Sequence, residues 1–147
     1  MAVTYRLSTW RRWLNVFVRA LLAVGLGPRH TYILAVRGRK TGTLYSTPVT
    51  LVEDEQGRWL VAPYGEVGWV RNARATGVVT LSRGRHRETV RVIPVPADTA
   101  APVLKMYATN VPITRPYFDV RWGAPVGEFI AEAARHPVFR IFSTPRA

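Results

Sequence analysis

Cysteine is absent from the sequence. That excludes disulfides, thiolate nucleophiles and cysteine-based metal sites, and it fits a reducing cytoplasm. Acid is scarce: 9 Asp and Glu stand against 21 Lys and Arg, and none occurs before Glu53. Glu53, Asp54 and Glu55 fall together at a turn signal and read as solvated rather than catalytic. His30, His86 and His136 stand singly, so no shared metal site is expected. Also missing are Gly-x-Gly-x-x-Gly, a phosphate-loop Gly-Lys-Ser/Thr, His-Glu-x-x-His and Gly-x-Ser-x-Gly, which sets aside several enzyme types. The apolar run in residues 8–25 is broken by Arg19, so it is too short to span a bilayer and makes a poor cleavable signal.

What is present is a chain of 147 residues, 48% hydrophobic, long enough for one globular domain over residues 1–147 with a real core. The formal charge of +12 attracts polyanions: nucleic acid, an anionic bilayer, or a small molecule carrying phosphate and carboxylate. Arg6, Arg11, Arg12, Arg19, Arg29, Arg37, Arg39 and Lys40 all lie in the first third. Only two of the 21 cations are lysine. That bias fits arginine forks selected for oxyanions, and it fits a GC-rich genome equally well.

Residues 8–25 predict an amphipathic helix, capped by Ser8 or Thr9, with Trp10, Trp13, Leu14, Phe17, Leu21 and Leu22 at helical spacing. A helix packed on the core is the preferred reading. A basic helix lying on an anionic membrane surface is the other. Strands are expected at 31–37, 45–53, 58–62, 78–83 and 86–95, with a last one at 137–143. Pro48 inside the second strand calls for an edge, a bulge or an unpaired position. A short helix over 67–75 ends at Gly77. Asp98 or Thr99 caps a helix over 100–109, residues 111–123 form a packed aromatic loop, and 128–135 is helical. The sum is a mainly β, α+β chain: a small antiparallel barrel with peripheral helices. Residues 1–28 make the basic helix, 29–95 the barrel core, and 96–147 an aromatic lid with the last strand.

Two segments carry chemistry. Residues 37–49 (Arg-Gly-Arg-Lys-Thr-Gly-Thr-Leu-Tyr-Ser-Thr-Pro-Val) place two glycines, three cations and several hydroxyls between apolar runs. Gly38 and Gly42 allow a bend with outward N–H groups, and Arg37, Arg39 and Lys40 add charge, which suits a phosphate or carboxylate. An ordinary basic hairpin turn accounts for the loop equally well. Residues 64–72 (Tyr-Gly-Glu-Val-Gly-Trp-Val-Arg-Asn) set Trp69 and Asn72 three apart on one face of the short helix, where they line a groove or serve as core and cap.

Taken together, the ordered set Gly38-Arg39-Lys40-Thr41-Gly42, Thr47-Pro48-Val49, Val61-Ala62-Pro63 and Trp69-x-x-Asn72 resembles the deazaflavin-dependent nitroreductase family of actinobacteria, also described as coenzyme F420-dependent quinone reductases. The resemblance covers about residues 29–95. It implies a split, FMN-binding-like β-barrel and a hydride carried by C5 of the deazaflavin. It assigns Arg39, Lys40, Thr41 and Gly42 to the coenzyme's phosphate, and Thr47, Pro48 and Val49 to the ring. Ala62, Tyr64 and Gly65 contact ring or linker, and Trp69 and Asn72 close the site. Pro63 stands where nitroreductase-active members carry Ser, and Tyr45 where some carry a second Arg. Tyr117 is the best match to the family's substrate-facing tyrosines, with Tyr107 behind it. Tyr117, Tyr64 or water would supply the proton.

The expected function is F420H2-dependent reduction of an electron-poor, lipophilic acceptor such as a quinone or nitro compound. The alternatives are a binder of F420, flavin (FMN) or haem without turnover, and a basic barrel for nucleic acid or membrane. Nucleic acid is not the expected partner, because the aromatics follow core periodicity. The expected partners are the anionic coenzyme, the lipophilic acceptor and, in a split barrel, a second copy as homodimer. The expected location is cytoplasmic, with peripheral contact to the inner membrane face through Trp10 and Trp13 as the variant reading.

Overall fold

A computed structural model describes residues 30–143. The helix expected at 8–25, with Trp10 and Trp13, lies outside the described residues. The element order is β1 (Thr31–Arg37), β2 (Leu44–Asp54), β3 (Gly57–Val61), α1 (Gly68–Thr76), β4 (Val78–Arg83), β5 (His86–Pro94), α2 (Ala97–Asn110), two 3-10 segments (Pro112–Tyr117 and Val126–Ala134) and β6 (Val138–Ser143). All six strands pair antiparallel and close in the order β1-β2-β3-β6-β5-β4. The mainly β barrel read from the sequence is the fold observed.

Alternation builds the inner core. Leu34 and Val36 of β1, Val79 and Leu81 of β4, Val90 and Val92 of β5, and Phe139 and Ile141 of β6 point inward and are buried. Arg87, Thr89, Arg91 and Ile93 take the outer face of β5 and are exposed. In β3, by contrast, Trp59, Leu60 and Val61 are all buried. Leu60 faces the barrel, while Trp59 and Val61 pack outside it with Val52, Val138 and the α2 residues Ala100, Leu104, Tyr107 and Ala108. An apolar strand without alternation is thus one covered on both faces.

β2 is long and divides its partners. Leu44–Thr50 pair with β1, and only residues 51–54 pair with β3. Pro48, opposite Ile33, sits on the half without a second neighbour, so its missing N–H interrupts no ladder there. The turn after β2 is closed by Asp54, whose Oδ1 accepts the amides of Gln56 (2.8 Å) and Gly57 (3.2 Å).

Three expectations need correction. Neither Asp98 nor Thr99 caps α2. The helix starts at Ala97 behind Pro96, whose φ of −70° is preset for entry, and Asp98 sits in the first turn. Residues 112–117 of the aromatic loop wind into a 3-10 segment led by Pro112. The helix expected at 128–135 is a 3-10 segment from Val126 to Ala134.

The fold buries a histidine that the sequence did not mark. His136, just before β6, is 3% exposed, and burial pushes its imidazole below the ordinary value of 6.5. The unfolded chain therefore binds that proton more tightly, so this stability is present above about pH 6.5 and is lost as pH falls below it. Glu88, hydrogen-bonded by Arg58, and Glu66, hydrogen-bonded by Arg74, are held below the usual carboxylate range. Their contribution is lost at a lower pH, below about 4.5. Urea midpoints measured against pH should fall in two stages, and His136→Gln should remove the first. Phe139→Ala, emptying the centre of the barrel, should cost about 3–5 kcal/mol with an unchanged denaturant slope.

Candidate functional site

The β1–β2 connection is built by its own backbone. Gly38 N–H donates to Thr43 O (2.7 Å), and Gly42 N–H donates to Gly38 O (2.9 Å). Both glycine amides close the loop instead of turning outward as expected. Their reasons differ. Gly42 is left-handed (φ 74°), whereas a Cβ on Gly38 would lie 2.9 Å from Tyr45 Cε2. The Arg37 guanidinium braces the bend through Gly42 O (3.3 Å), and the Thr41 hydroxyl donates to Thr43 Oγ1 (2.9 Å). Among the described residues, the amides of Lys40 and Thr41 have no acceptor, and no carboxylate pairs with Arg37, Arg39 or Lys40. The bend therefore presents exposed positive charge that no carboxylate of the described residues compensates.

One side chain from another element fixes this loop. Asn72 on α1 is 5% exposed, and its Oδ1 accepts both the backbone N–H of Arg39 (3.1 Å) and its Nη1 (2.8 Å). A single amide oxygen thus sets the loop backbone and the guanidinium together. Trp69 is half-buried against the inner core, its ring 6.5 Å from Phe139. The face expected to line a groove is spent on packing and on the loop. α1 ends at left-handed Gly77, whose N–H returns to Ala73 O (2.8 Å).

The remaining predicted residues form two further groups. Thr47 and Pro48 are half-buried on the open half of β2, while Val49 points into the inner core. Ala62 is buried and tied by its N–H to Pro137 O (2.9 Å). Tyr64 stands edge-on to Tyr117, ring centres 4.8 Å apart at 77°. Tyr107 lies beside Tyr64, hydrogen-bonded to Thr114. Deep burial, with a smaller push from Tyr64, drives its phenol well above 10. Left-handed Gly65 (φ 86°) runs close to Arg135 O, 3.2 Å from where a Cβ would sit. Tyr64 precedes α1 and Asn72 lies within it, so one helix joins the tyrosine group to the loop.

Sequence reasoning did not single out Glu132, and it read His136 only as one of three scattered histidines. Both are buried, with Glu132 Oε2 3.1 Å from His136 Nε2. Their i,i+4 spacing was the available signal. A surface cavity of about 500 Å³ is lined by residues 121–125 and Glu128, none of them a predicted site residue. Among the described residues, no cluster of acidic or histidine side chains could hold a metal ion, and no helix is long and apolar enough to cross a membrane.

Residues 11–121 match the protein family described as F420H(2)-dependent quinone reductase. No curated protein matches the chain. Among solved structures, an F420-H2 dependent reductase is similar, with 19% identity over 78% of this chain and 95% of that one and a TM-score of 0.53. A protein of unknown function from Agrobacterium tumefaciens shows 15% identity over 88% of this chain and 55% of its own, with a TM-score of 0.57. A domain-swapped dimer shows 16% identity over 91% of this chain and all of the other, with a TM-score of 0.56. At these identities the solved structures speak to the fold.

Asn72→Ala should free the Arg39 amide, seen as faster hydrogen exchange at that residue, and cost about 0.5–1.5 kcal/mol, the net worth of a part-buried hydrogen bond. Exchange at Gly77, bonded within α1, should be unaffected.

Proposed function

The chain belongs to the F420H(2)-dependent quinone reductase family and uses coenzyme F420, and from that premise we propose that it reduces a flat, electron-poor quinone or nitro acceptor with the coenzyme anchored at the Gly38–Thr43 bend. The observation that carries this reading is the uncompensated positive charge of a loop whose geometry Asn72 fixes from α1. An anionic phosphoryl linker and a polyglutamate tail suit such a loop. The Arg39 guanidinium, already held in place, loses little freedom on binding, and among the described residues no carboxylate has to be displaced.

In this reading Arg39, Lys40, Thr41 and Gly42 hold the phosphate, with the free amides of Lys40 and Thr41 aiding them. Thr47, Pro48 and Val49 support the ring along the open half of β2, where Pro48 leaves no competing N–H. Ala62, Tyr64 and Gly65 wall the ring or linker. Trp69 packs behind the wall, and Asn72 acts through Arg39. When bound in its reduced form, the coenzyme supplies a hydride from C5 of the deazaflavin. The chain's own share is to orient that ring, exclude water and deliver a proton to the acceptor oxygen.

Three phenols stand near one another, and burial ranks them as donors. Tyr107 is the poorest, because its anion would be left in the core. Tyr117 is 7% exposed, and Tyr64 is half-buried. Tyr64 is therefore assigned as proton donor, with Tyr117 holding its ring edge-on. Pro63 offers no hydroxyl, so the donor must come from these rings or from water. A cytoplasmic location belongs to the same reading.

Titration of the purified protein with F420 should give micromolar-range binding, with FMN at least about tenfold weaker, since FMN has no polyglutamate tail to meet the basic bend. Arg39→Ala and Lys40→Ala should each weaken F420 about tenfold, roughly 1.4 kcal/mol. Tyr64→Phe should leave affinity intact and lower kcat with a quinone about 10- to 100-fold. Failure to bind F420 would overturn the proposal.

A further inference from the structure

Glu132 is 1% exposed, yet it lies in a 3-10 segment far from the cationic bend in sequence. Burying a carboxylate is costly unless its oxygens are fully engaged. Here they are. Oε1 accepts the consecutive backbone amides of Asp119 (2.9 Å) and Val120 (2.8 Å). Oε2 accepts from Arg135 Nη2 (2.9 Å) and faces His136 Nε2 at 3.1 Å. The two amides belong to the segment that follows Tyr117, so the carboxylate ties that segment from twelve and thirteen residues away.

His136 extends the tie to the turn that follows β3. Its ring stacks on Phe118 (4.1 Å, 21°), and the carbonyls of Pro63 and Tyr117 face it. Neither ring nitrogen has a fully aligned hydrogen-bond partner, so His136 works by packing, and the directed bonds are those of Glu132. The same stretch of chain lies flush on the Tyr64–Gly65 backbone: a Cβ on Gly65 would meet Arg135 O at 3.2 Å. One cluster therefore touches both backbones that carry the edge-on ring pair, Tyr64 through Pro63 and Gly65, and Tyr117 through its own carbonyl and the amides just beyond it. The charged groups around it are Arg135 and Asp119, which pair with each other at 2.7 Å on the exposed rim. A rim pair of that kind contributes little, which leaves the buried carboxylate as the anchor.

We propose that Glu132 is a positioning residue: with His136 it holds residues 117–120 against the end of β3 and so sets where the rings of Tyr64 and Tyr117 stand. The proposal rests on the reading of those tyrosines as site residues, and it separates two duties. The Gly38–Thr43 bend governs how tightly the coenzyme is held. The Glu132 cluster governs how well the acceptor and its proton are placed.

The test uses the full chain. Glu132→Gln keeps an oxygen acceptor and the side-chain shape but removes the charge that strengthens these bonds. Glu132→Ala removes both. In the coenzyme-free protein, amide exchange at Asp119 and Val120 should rise about tenfold in Glu132→Gln and more in Glu132→Ala, with Arg39 and Gly77 unchanged. With F420 added, Glu132→Gln should keep its Kd within about twofold while kcat for a quinone falls about tenfold or more. Wild-type exchange at Asp119 and Val120 in Glu132→Gln would overturn the tether. Faster exchange with unchanged kcat would overturn its positioning role, and so would a Kd that weakens in step with kcat. If wild-type protein failed to bind F420, the functional reading would fall while the exchange result still judged the tether. Should Glu132→Ala fail to fold, Glu132→Gln decides alone.

Discussion

The division of β2 between two partners is the constraint from which the site follows. A strand of eleven residues that pairs with β1 over its first part and with β3 over its last leaves the first part, among the described residues, without a partner strand on one side. Antiparallel ladders tolerate proline only where a donor is not needed, and Pro48 falls on that open part. The same division places the β1–β2 bend at the free end of the opening. Its cations therefore project beside an unpaired strand edge rather than over a completed sheet. A barrel with β2 fully paired on both sides would have neither the opening nor a use for the proline.

The distribution of charge is consistent with that geometry. Away from the bend, three arginines are given carboxylate partners: Arg58 with Glu88, Arg74 with Glu66, Arg135 with Glu132 and Asp119. At the bend, Arg39 is fixed by a neutral amide oxygen instead. A carboxylate in the place of Asn72 would hold the guanidinium more strongly, but it would cancel the field that an anionic ligand needs. Asn gives order without neutralisation, which is the combination a preorganised anion site requires.

How much of this was legible in sequence depends on the range of the contacts involved. Strand β5 follows from the alternation of residues 89–93 and β1 from a short apolar, partly β-branched run, and Gly77 ends α1 through a local backbone demand alone. The 37–49 and 64–72 segments were recognisable because their residues act as contiguous sets. What could not be read was the direction of single groups. The Gly38 and Gly42 amides turn inward because Thr43 O and Gly38 O are the nearest acceptors, a detail decided by the closed loop. Asn72 meets Arg39 across 33 residues, and Glu132 meets Asp119 and Val120 across 13 and 12. No periodicity encodes such pairs. The 3-10 segments were missed for a related reason: Pro112 and Pro116 make the first read as a loop, and the second, which packs against α2, has the composition of an ordinary helix.

The arrangement also bears on what Pro63 does to the chemistry. A serine there would bring a hydroxyl to the end of β3, but the position is buried and its carbonyl faces the His136 ring. Proline holds φ near −65° and contributes no N–H, so the chain's turn from Ala62 toward Tyr64 is set by the residue itself. The ring of Tyr64 then enters the tyrosine group from a stiff backbone supported behind by Arg135, His136 and Glu132. Under the proposed function, the Tyr64 phenol on this rigid approach takes the part that a strand-end hydroxyl could otherwise play. On that reading the edge favours flat acceptors, which can lie against it, over small polar ones, which need a hydroxyl to orient them.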